Sequence, residues 1–194
     1  MTAPDMAAAQ LPALQEAWMA HSEMVTTFRR LALQAGARIM EIYQSGDMGV
    51  EVKEDDSPVT LADKAADALI SAGLRAAFPD IPLVTEEQAD SHDLSAPRFL
   101  IVDPLDGTKE FVKRRGDFTV NIALVEDGRP VLGVVYAPAR ARMFYTTAPD
   151  AAVEETGPFE LDAPGTVTPL RVSTPDNSAL RIVASKSHQD DATR

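Results

Sequence analysis

The sequence predicts an α+β fold with helices layered on a sheet, and three observations carry that prediction. Apolar residues at Phe28, Leu31, Ala35, Ile39 and Ile42 step by three or four, the spacing of one helical face, and a second helical pattern follows Thr60. Short apolar runs at Ile81–Thr85 and Phe99–Val102 read as strands. Asp127-Gly128 divides the apolar runs Phe118–Val125 and Pro130–Tyr136, which is a strong hairpin signal.

In chain order, residues 1–12 are rich in Ala, Pro and Thr and are expected to form a flexible lead-in. A helix is expected from near Leu14 or Ser22 to Tyr43, with Gly46 as its stop. Trp18 and Met19 are assigned packing alone. Val50–Val52 reads as a short strand and Lys53–Pro58 as a charged loop, in which Asp55 and Asp56 are solvated charges. Thr60 opens a helix to about Phe78, with Leu61, Ala65, Leu69 and Ala76 among its apolar positions. Asp63 stands at capping-box spacing from Thr60. The strand from Phe99 is expected to stop at Asp103-Pro104, because proline cannot donate to a ladder. After the hairpin, Arg140–Tyr145 adds a strand. Residues 146–169, rich in Pro, Gly, Ala and acidic residues, read as a surface excursion or domain link. Leu170–Ser173 and Leu180–Ala184 read as the last strands.

Composition narrows the chemistry. The 194 residues suffice for one domain with a real core, and 45% are hydrophobic. A net charge of −12 argues against a nucleic-acid polymer as partner, since backbone binding needs basic surface. It would also repel a phosphate ester unless bound divalent metals invert the field locally. With 0 cysteines there are no disulfides, thiolate zinc sites or cysteine nucleophile. His21, His92 and His188 make no metal-spacing pattern. No run approaches about 18 apolar residues and no signal peptide is evident, so no transmembrane segment is expected. The location is read as cytoplasmic, compatible with a peripheral position at the inner membrane.

The chemistry centres on Asp103-Pro104-Leu105-Asp106-Gly107-Thr108. A turn lets Asp103 and Asp106 converge, and two hard oxygen ligands that close repel unless a cation lies between them. The bend also frees the Leu105 carbonyl as a third oxygen. Upstream, Glu86-Glu87 follows another strand-like segment. Two strands ending in carboxylates suggest one acidic pocket, as ligand sites favour strand ends. The bland alternative is that Asp-Pro and Asp-Gly are ordinary turn dipeptides.

This hexapeptide resembles the signature of the inositol monophosphatase superfamily of magnesium-dependent, lithium-sensitive phosphatases. Lys109-Glu110-Phe111 and Asp117–Leu124 resemble its 3'(2'),5'-bisphosphate nucleotidase branch; inositol monophosphatases themselves usually carry Thr-Asn-Phe after the Gly-Thr. The resemblance runs from about Leu31 to the last residue. It implies a layered α/β/α/β sandwich of the sugar-phosphatase type, with residues 13–148 as a metal-binding α+β layer. Residues 149–194 would open a C-terminal layer whose sheet is incomplete.

The resemblance also implies a ligand set. One Mg2+ would take Glu86, Asp103 and the Leu105 carbonyl, and a second would share Asp103 and take Asp106; two or three ions are expected, with inhibition by Li+. Asp63, from the family's Thr-x-x-Asp element, would hold the Thr108 hydroxyl, so that Asp63, Thr108 and Glu86 form the catalytic set. Glu87 is a supporting acid or simply exposed. Substrate contacts would come from Glu86, Leu105, Asp106, Gly107, Thr108, Lys109, Lys53 and His188, the last in Ser185-Lys186-Ser187-His188, which resembles the branch's Ser-x-Ser-His element. The implied reaction removes the 3'-phosphate of 3'-phosphoadenosine 5'-phosphate, or acts on its sulfated relative, in sulfate assimilation. Inositol monophosphates and fructose 1,6-bisphosphate are the rival substrates.

The family's later Trp-Asp-x-x-Ala element, which supplies a ligand of the second metal, does not occur, and the only tryptophan is Trp18. The expectation is a chain truncated at its C-terminus or completed by another chain, with exposed apolar surface and a tendency to self-associate. Two non-enzyme readings accompany it: a catalytically incomplete fragment that binds metal or nucleotide, and an acidic interaction domain. Convergence of Glu86, Asp103, Asp106 and Asp63 on one pocket separates the enzyme from the latter.

Overall fold

The apolar stripe from Phe28 to Ile42 lies on α1 (Ala3–Ser45), where Phe28, Ala32, Ala35 and Ile39 are fully buried. The computed structural model describes residues 3–52, 58–93, 96–180 and 183. The expected flexible lead-in is corrected: residues 3–12 belong to α1. Alanine has the best helix propensity, and Pro4 stands in the first turn, where no N–H is required.

A two-stranded ribbon of β1 (Glu51–Val52) and β2 (Pro58–Val59) leads into α2 (Leu61–Ala77). Thr60 caps α2, accepting from the Ala62 N–H, while the Asp63 carboxylate accepts from the Thr60 N–H, a complete capping box. Among the described residues, the strands after α2 build one seven-stranded sheet in sequential order. Its strands are β3 (Leu83–Thr85), β4 (Arg98–Asp106), β5 (Thr119–Glu126), β6 (Arg129–Ala137), β7 (Arg142–Ala148), β8 (Ala151–Thr156) and β9 (Thr166–Pro169), with the short helix α3 (Thr108–Val112) between β4 and β5. Only β3 and β4 pair in parallel; every other neighbour is antiparallel.

Helices α1 and α2 pack on one face of this sheet and on each other. Leu100, Ile122, Leu124, Leu132 and Met143 meet Phe28, Ile39, Ile70 and Leu74 in a single core. On the other face Ile101 and Val135 are 41% and 40% exposed, so among the described residues that face is uncovered. The expected hairpin is present: Glu126 pairs with Arg129 across Asp127-Gly128, both at positive φ, as a two-residue turn requires.

Three expectations are corrected. The strand from Phe99 does not end at Asp103-Pro104 but continues to Asp106, with a register shift between Asp103 and Asp106. Pro104 falls within that bulge, where proline is tolerated because the ladder is already interrupted. Residues 146–169 are not a link, since β8 and β9 extend the same sheet across the expected boundary at 148/149. What holds them is a buried ion pair: Glu155 on β8 is fully buried and accepts two 2.7 Å hydrogen bonds from Arg29 of α1. Arg29 also donates to the carbonyls of Glu160, Leu161 and Ala163, tying the β8–β9 loop to the helix. Leu170–Ser173 is exposed and forms no strand, with Val172 97% exposed. Of the expected strand Leu180–Ala184, residues 180 and 183 are outside any strand and the others lie outside the described residues.

Candidate metal and phosphate site

The parallel pairing of β3 and β4 sets Thr85 opposite Val102, and the ladder extends one step as the Glu86 N–H donates to the Val102 carbonyl at 3.1 Å. Glu86 and Asp103 therefore leave neighbouring strands side by side. The bulge then turns β4, and the Leu105 N–H donates back to Asp103 Oδ1 at 3.2 Å. Gly107 follows in the left-handed region at φ 92°, and α3 begins at Thr108. A Cβ at Gly107 would lie 2.7 Å from the Asp117 carbonyl oxygen, so the tight crossing requires glycine.

Behind this turn an aromatic cluster fixes α3 and β5 to α1. Ring centroids of Tyr43, Phe111 and Phe118 stand 5.1–5.2 Å apart, and Phe111 and Phe118 are almost fully buried. Such pairs contribute about 0.5–1.5 kcal/mol beyond area burial.

The result is a cleft of about 440 Å3 whose lining includes Glu86, Asp103, Leu105, Asp106, Gly107, Thr108 and Lys109. Asp63 lies beneath it, 2% exposed, with its Oδ1 3.1 Å from the Thr108 hydroxyl, which is also 3.1 Å from the Leu105 carbonyl. The other carboxylate oxygen of Asp63 accepts from the Thr60 N–H at 2.7 Å and the Thr60 hydroxyl at 2.5 Å. The two sequence readings of Asp63, as cap and as partner of Thr108, are thus compatible, one oxygen serving each. Lys53 and His188 lie outside the described residues.

Against the residues of the cleft pack others to which the sequence reading gave no role. Asn121, opposite Asp103 in the β4–β5 register, donates from Nδ2 to Asp106 Oδ2 at 3.3 Å, and the Thr119 hydroxyl donates to Asn121 Oδ1 at 3.0 Å. The available signal was an amide within a β-branched strand run. Asp67, Ser71, Thr85 and Gln88 form a second polar group behind Glu86.

Electrostatics mark the site as short of positive charge. Burial, then the charge of Glu86, then a hydrogen bond shared with Glu86 and the charge of Asp106, push the Asp103 carboxyl up to about 8. Burial also raises Asp63, against the opposing hydrogen bonds from Thr60 and Thr108. Among the described residues, no group of three or more histidine or acidic side chains is placed to hold a metal ion. Two adjoining carboxylates, a third close by and a carbonyl nevertheless suit a hard divalent cation that keeps several of its waters. The raised Asp103 is the mark of a charge deficit that such an ion would relieve.

A family model described as the inositol monophosphatase family matches residues 20–194. The 3'(2'),5'-bisphosphate nucleotidase CysQ of Salmonella typhimurium is 45% identical over 165 residues, covering 84% of this chain and 63% of that protein. The protein of the same description from Escherichia coli is 42% identical over 164 residues, covering 83% and 63%. The chain therefore spans about 63% of the length of these curated relatives. Among solved structures, CysQ from Bacteroides thetaiotaomicron, a bacterial member of the inositol monophosphatase family, aligns with a TM-score of 0.67 and 34% identity. That alignment covers 88% of this chain and 65% of the other. An inositol monophosphatase (IMPase) from Thermotoga maritima aligns with a TM-score of 0.58 and 32% identity, covering 65% and 48%. With a match from residue 20 to residue 194 and the signature turn folded at the mouth of the cleft, the chain belongs to the inositol monophosphatase family.

Proposed function

We propose that the chain belongs to a divalent-metal-dependent phosphomonoesterase that removes the 3'-phosphate of 3'-phosphoadenosine 5'-phosphate to give AMP, a 3'(2'),5'-bisphosphate nucleotidase. The observation that carries the reading is the juxtaposition of Glu86, Asp103, Asp106 and the Leu105 carbonyl in one cleft, directly over the Thr108–Asp63 hydrogen bond. The substrate is supported by relatives named for that activity and by the Lys109-Glu110-Phe111 sequence after the signature turn.

Glu86, Asp103, Asp106 and the Leu105 carbonyl would hold Mg2+, in two or three ions. Bound there, the metal supplies charge neutralisation for the phosphate and a water of lowered pKa. The protein's own part is positioning and proton transfer. Because the Thr108 hydroxyl donates its proton to Asp63, its oxygen is left to accept from a water in the cleft. Thr108 orients that water and relays its proton to Asp63, whose raised pKa suits it to receive one. Asn121 holds the Asp106 carboxylate. Gly107 exposes backbone beside the phosphate, and Lys109 offers a cation. Lys53 and His188 are assigned to substrate contact by the family resemblance. Competition by Li+, a cytoplasmic location and self-association through the uncovered sheet face belong to the same reading.

The test is phosphate release from 3'-phosphoadenosine 5'-phosphate and from inositol 1-phosphate, with and without Mg2+, by the 194-residue protein. Mg2+-dependent release from the nucleotide alone supports the reading. Release from the inositol ester alone, or release indifferent to metal, overturns it.

A further inference from the structure

We propose that Asp67 is a positioning residue that fixes Glu86 for metal binding, an inference resting on the reading of Glu86 as a ligand. Glu86 and Glu87 are the central residues of a turn closed by the Gln88 N–H, which donates to the Thr85 carbonyl at 3.2 Å. Both ends of that turn are tied to one side chain. The Thr85 hydroxyl donates to Asp67 Oδ1 at 2.5 Å, and Gln88 Nε2 donates to Asp67 Oδ2 at 2.8 Å. Ser71, one helical turn along α2, lies 3.3 Å from the same Oδ1. Arg75 donates to Gln88 Oε1 at 2.7 Å, which fixes the amide so that its NH2 group faces Asp67.

These groups are buried: Asp67 is 7% exposed, Ser71 2% and Thr85 fully enclosed. A buried carboxylate is costly unless hydrogen-bonded, and an apolar residue would fill this position on α2 as Ala66, Ile70 and Leu74 fill theirs. Asp63 and Asp67 are four residues apart on α2 and share a face. One holds Thr108; the other holds the turn that bears Glu86. A single rigid helix thereby sets both sides of the cleft. Ser91 and His92 also contact the Thr85 backbone, from the other side, so loss of Asp67 should loosen the turn without releasing it.

Binding of Mn2+ to the whole chain, followed by electron paramagnetic resonance alongside thermal melts, tests this. Asp67→Asn turns an amide N–H towards the Gln88 amide, and is expected to weaken Mn2+ binding about tenfold, the usual effect of losing a group that orients a ligand. Pairing it with Gln88→Glu restores a donor–acceptor pair and should recover most of the affinity. Thr85→Val, which keeps the shape and removes only the hydroxyl tie, should weaken binding in the same direction and stands in if Asp67→Asn fails to fold. In turnover assays the Mg2+ concentration for half-activity should rise while kcat at saturating Mg2+ holds. Wild-type Mn2+ affinity in a folded Asp67→Asn, or in Thr85→Val, overturns the inference and leaves the reading of the site intact. A wild-type chain that binds no Mn2+ overturns both.

Discussion

The Thr108 hydroxyl lies 3.1 Å from Oδ1 of Asp63, a carboxylate whose other oxygen is engaged by the N-cap residue Thr60. Catalytic and capping duties are therefore separable by substitution. Thr108→Val leaves the cap untouched and should lower phosphate release by about 10²–10⁴-fold with Mg2+ affinity retained. Asp63→Ala should show the same kinetic loss together with about 1 kcal/mol of destabilisation from the broken capping box. Turnover assays and denaturant melts on the two variants check the split.

The Asp103 carboxyl, pushed up to about 8 by burial and by Glu86 and Asp106, predicts how metal binding depends on pH. A ligating carboxylate must lose its proton, so Mg2+ affinity should fall as pH drops below about 8, by about tenfold per unit for one proton. Stability runs the other way in the metal-free chain. The folded pKa lies above the ordinary value of 3.8, so the native state holds the extra proton, and stability should fall as pH rises from 3.8 towards 8. Titration calorimetry and melts across that range measure both trends. A metal-free melting temperature that climbs with pH would contradict the assignment.

Gly107 cannot be replaced cheaply. Its φ of 92° and the 2.7 Å approach of a Cβ to the Asp117 carbonyl predict that Gly107→Ala strains the turn by about 1–2 kcal/mol. Displacement of Thr108 should cost activity on the order of a hundredfold. Melting and turnover of the variant, compared with wild type, test the pair of effects.

The Arg29–Glu155 pair governs stability and not chemistry. Replacing Arg29 by Met strands a fully buried carboxylate and should cost about 3–5 kcal/mol, with Mg2+ affinity in the folded fraction unchanged. Burial alone would raise Glu155, but hydrogen bonds from Arg29 and the Gly165 N–H, with the charge of Arg29, hold it below its ordinary 4.5. The contribution is therefore present above pH 4.5 and lost as pH falls through the lowered folded value. Urea melts at neutral and acid pH should show the gap between wild type and Arg29→Met closing in acid.

Much of this site was legible because its residues are local. The turn from Asp103 to Thr108 keeps its carboxylates, carbonyl and hydroxyl within six residues, and Thr60 and Asp63 sit within one helical turn. The family signature in that turn carried the roles of Glu86 and Asp63 across to it. The hairpin at Asp127-Gly128 was legible for the same reason, since turn chemistry acts over neighbours. The Asp67 network was not legible: its four members are spread from residue 67 to residue 88 over a helix, a strand and a turn, and each alone reads as an ordinary polar side chain.

By itself, then, the sequence determined α2 and the C-terminal half of α1, the strands with clear apolar periodicity and the identity of the acidic turn. Tertiary structure alone decided that β4 runs through Pro104, because a bulge removes the demand for its missing N–H. It also decided that β8 and β9 join the sheet. Their segment is polar, and it is held by one buried ion pair to a helix more than a hundred residues away, a contact no local pattern can announce. Finally, it decided how Glu86 and Asp103, expected in one acidic pocket, come together: parallel register, and not spacing along the chain, sets the two strand ends side by side.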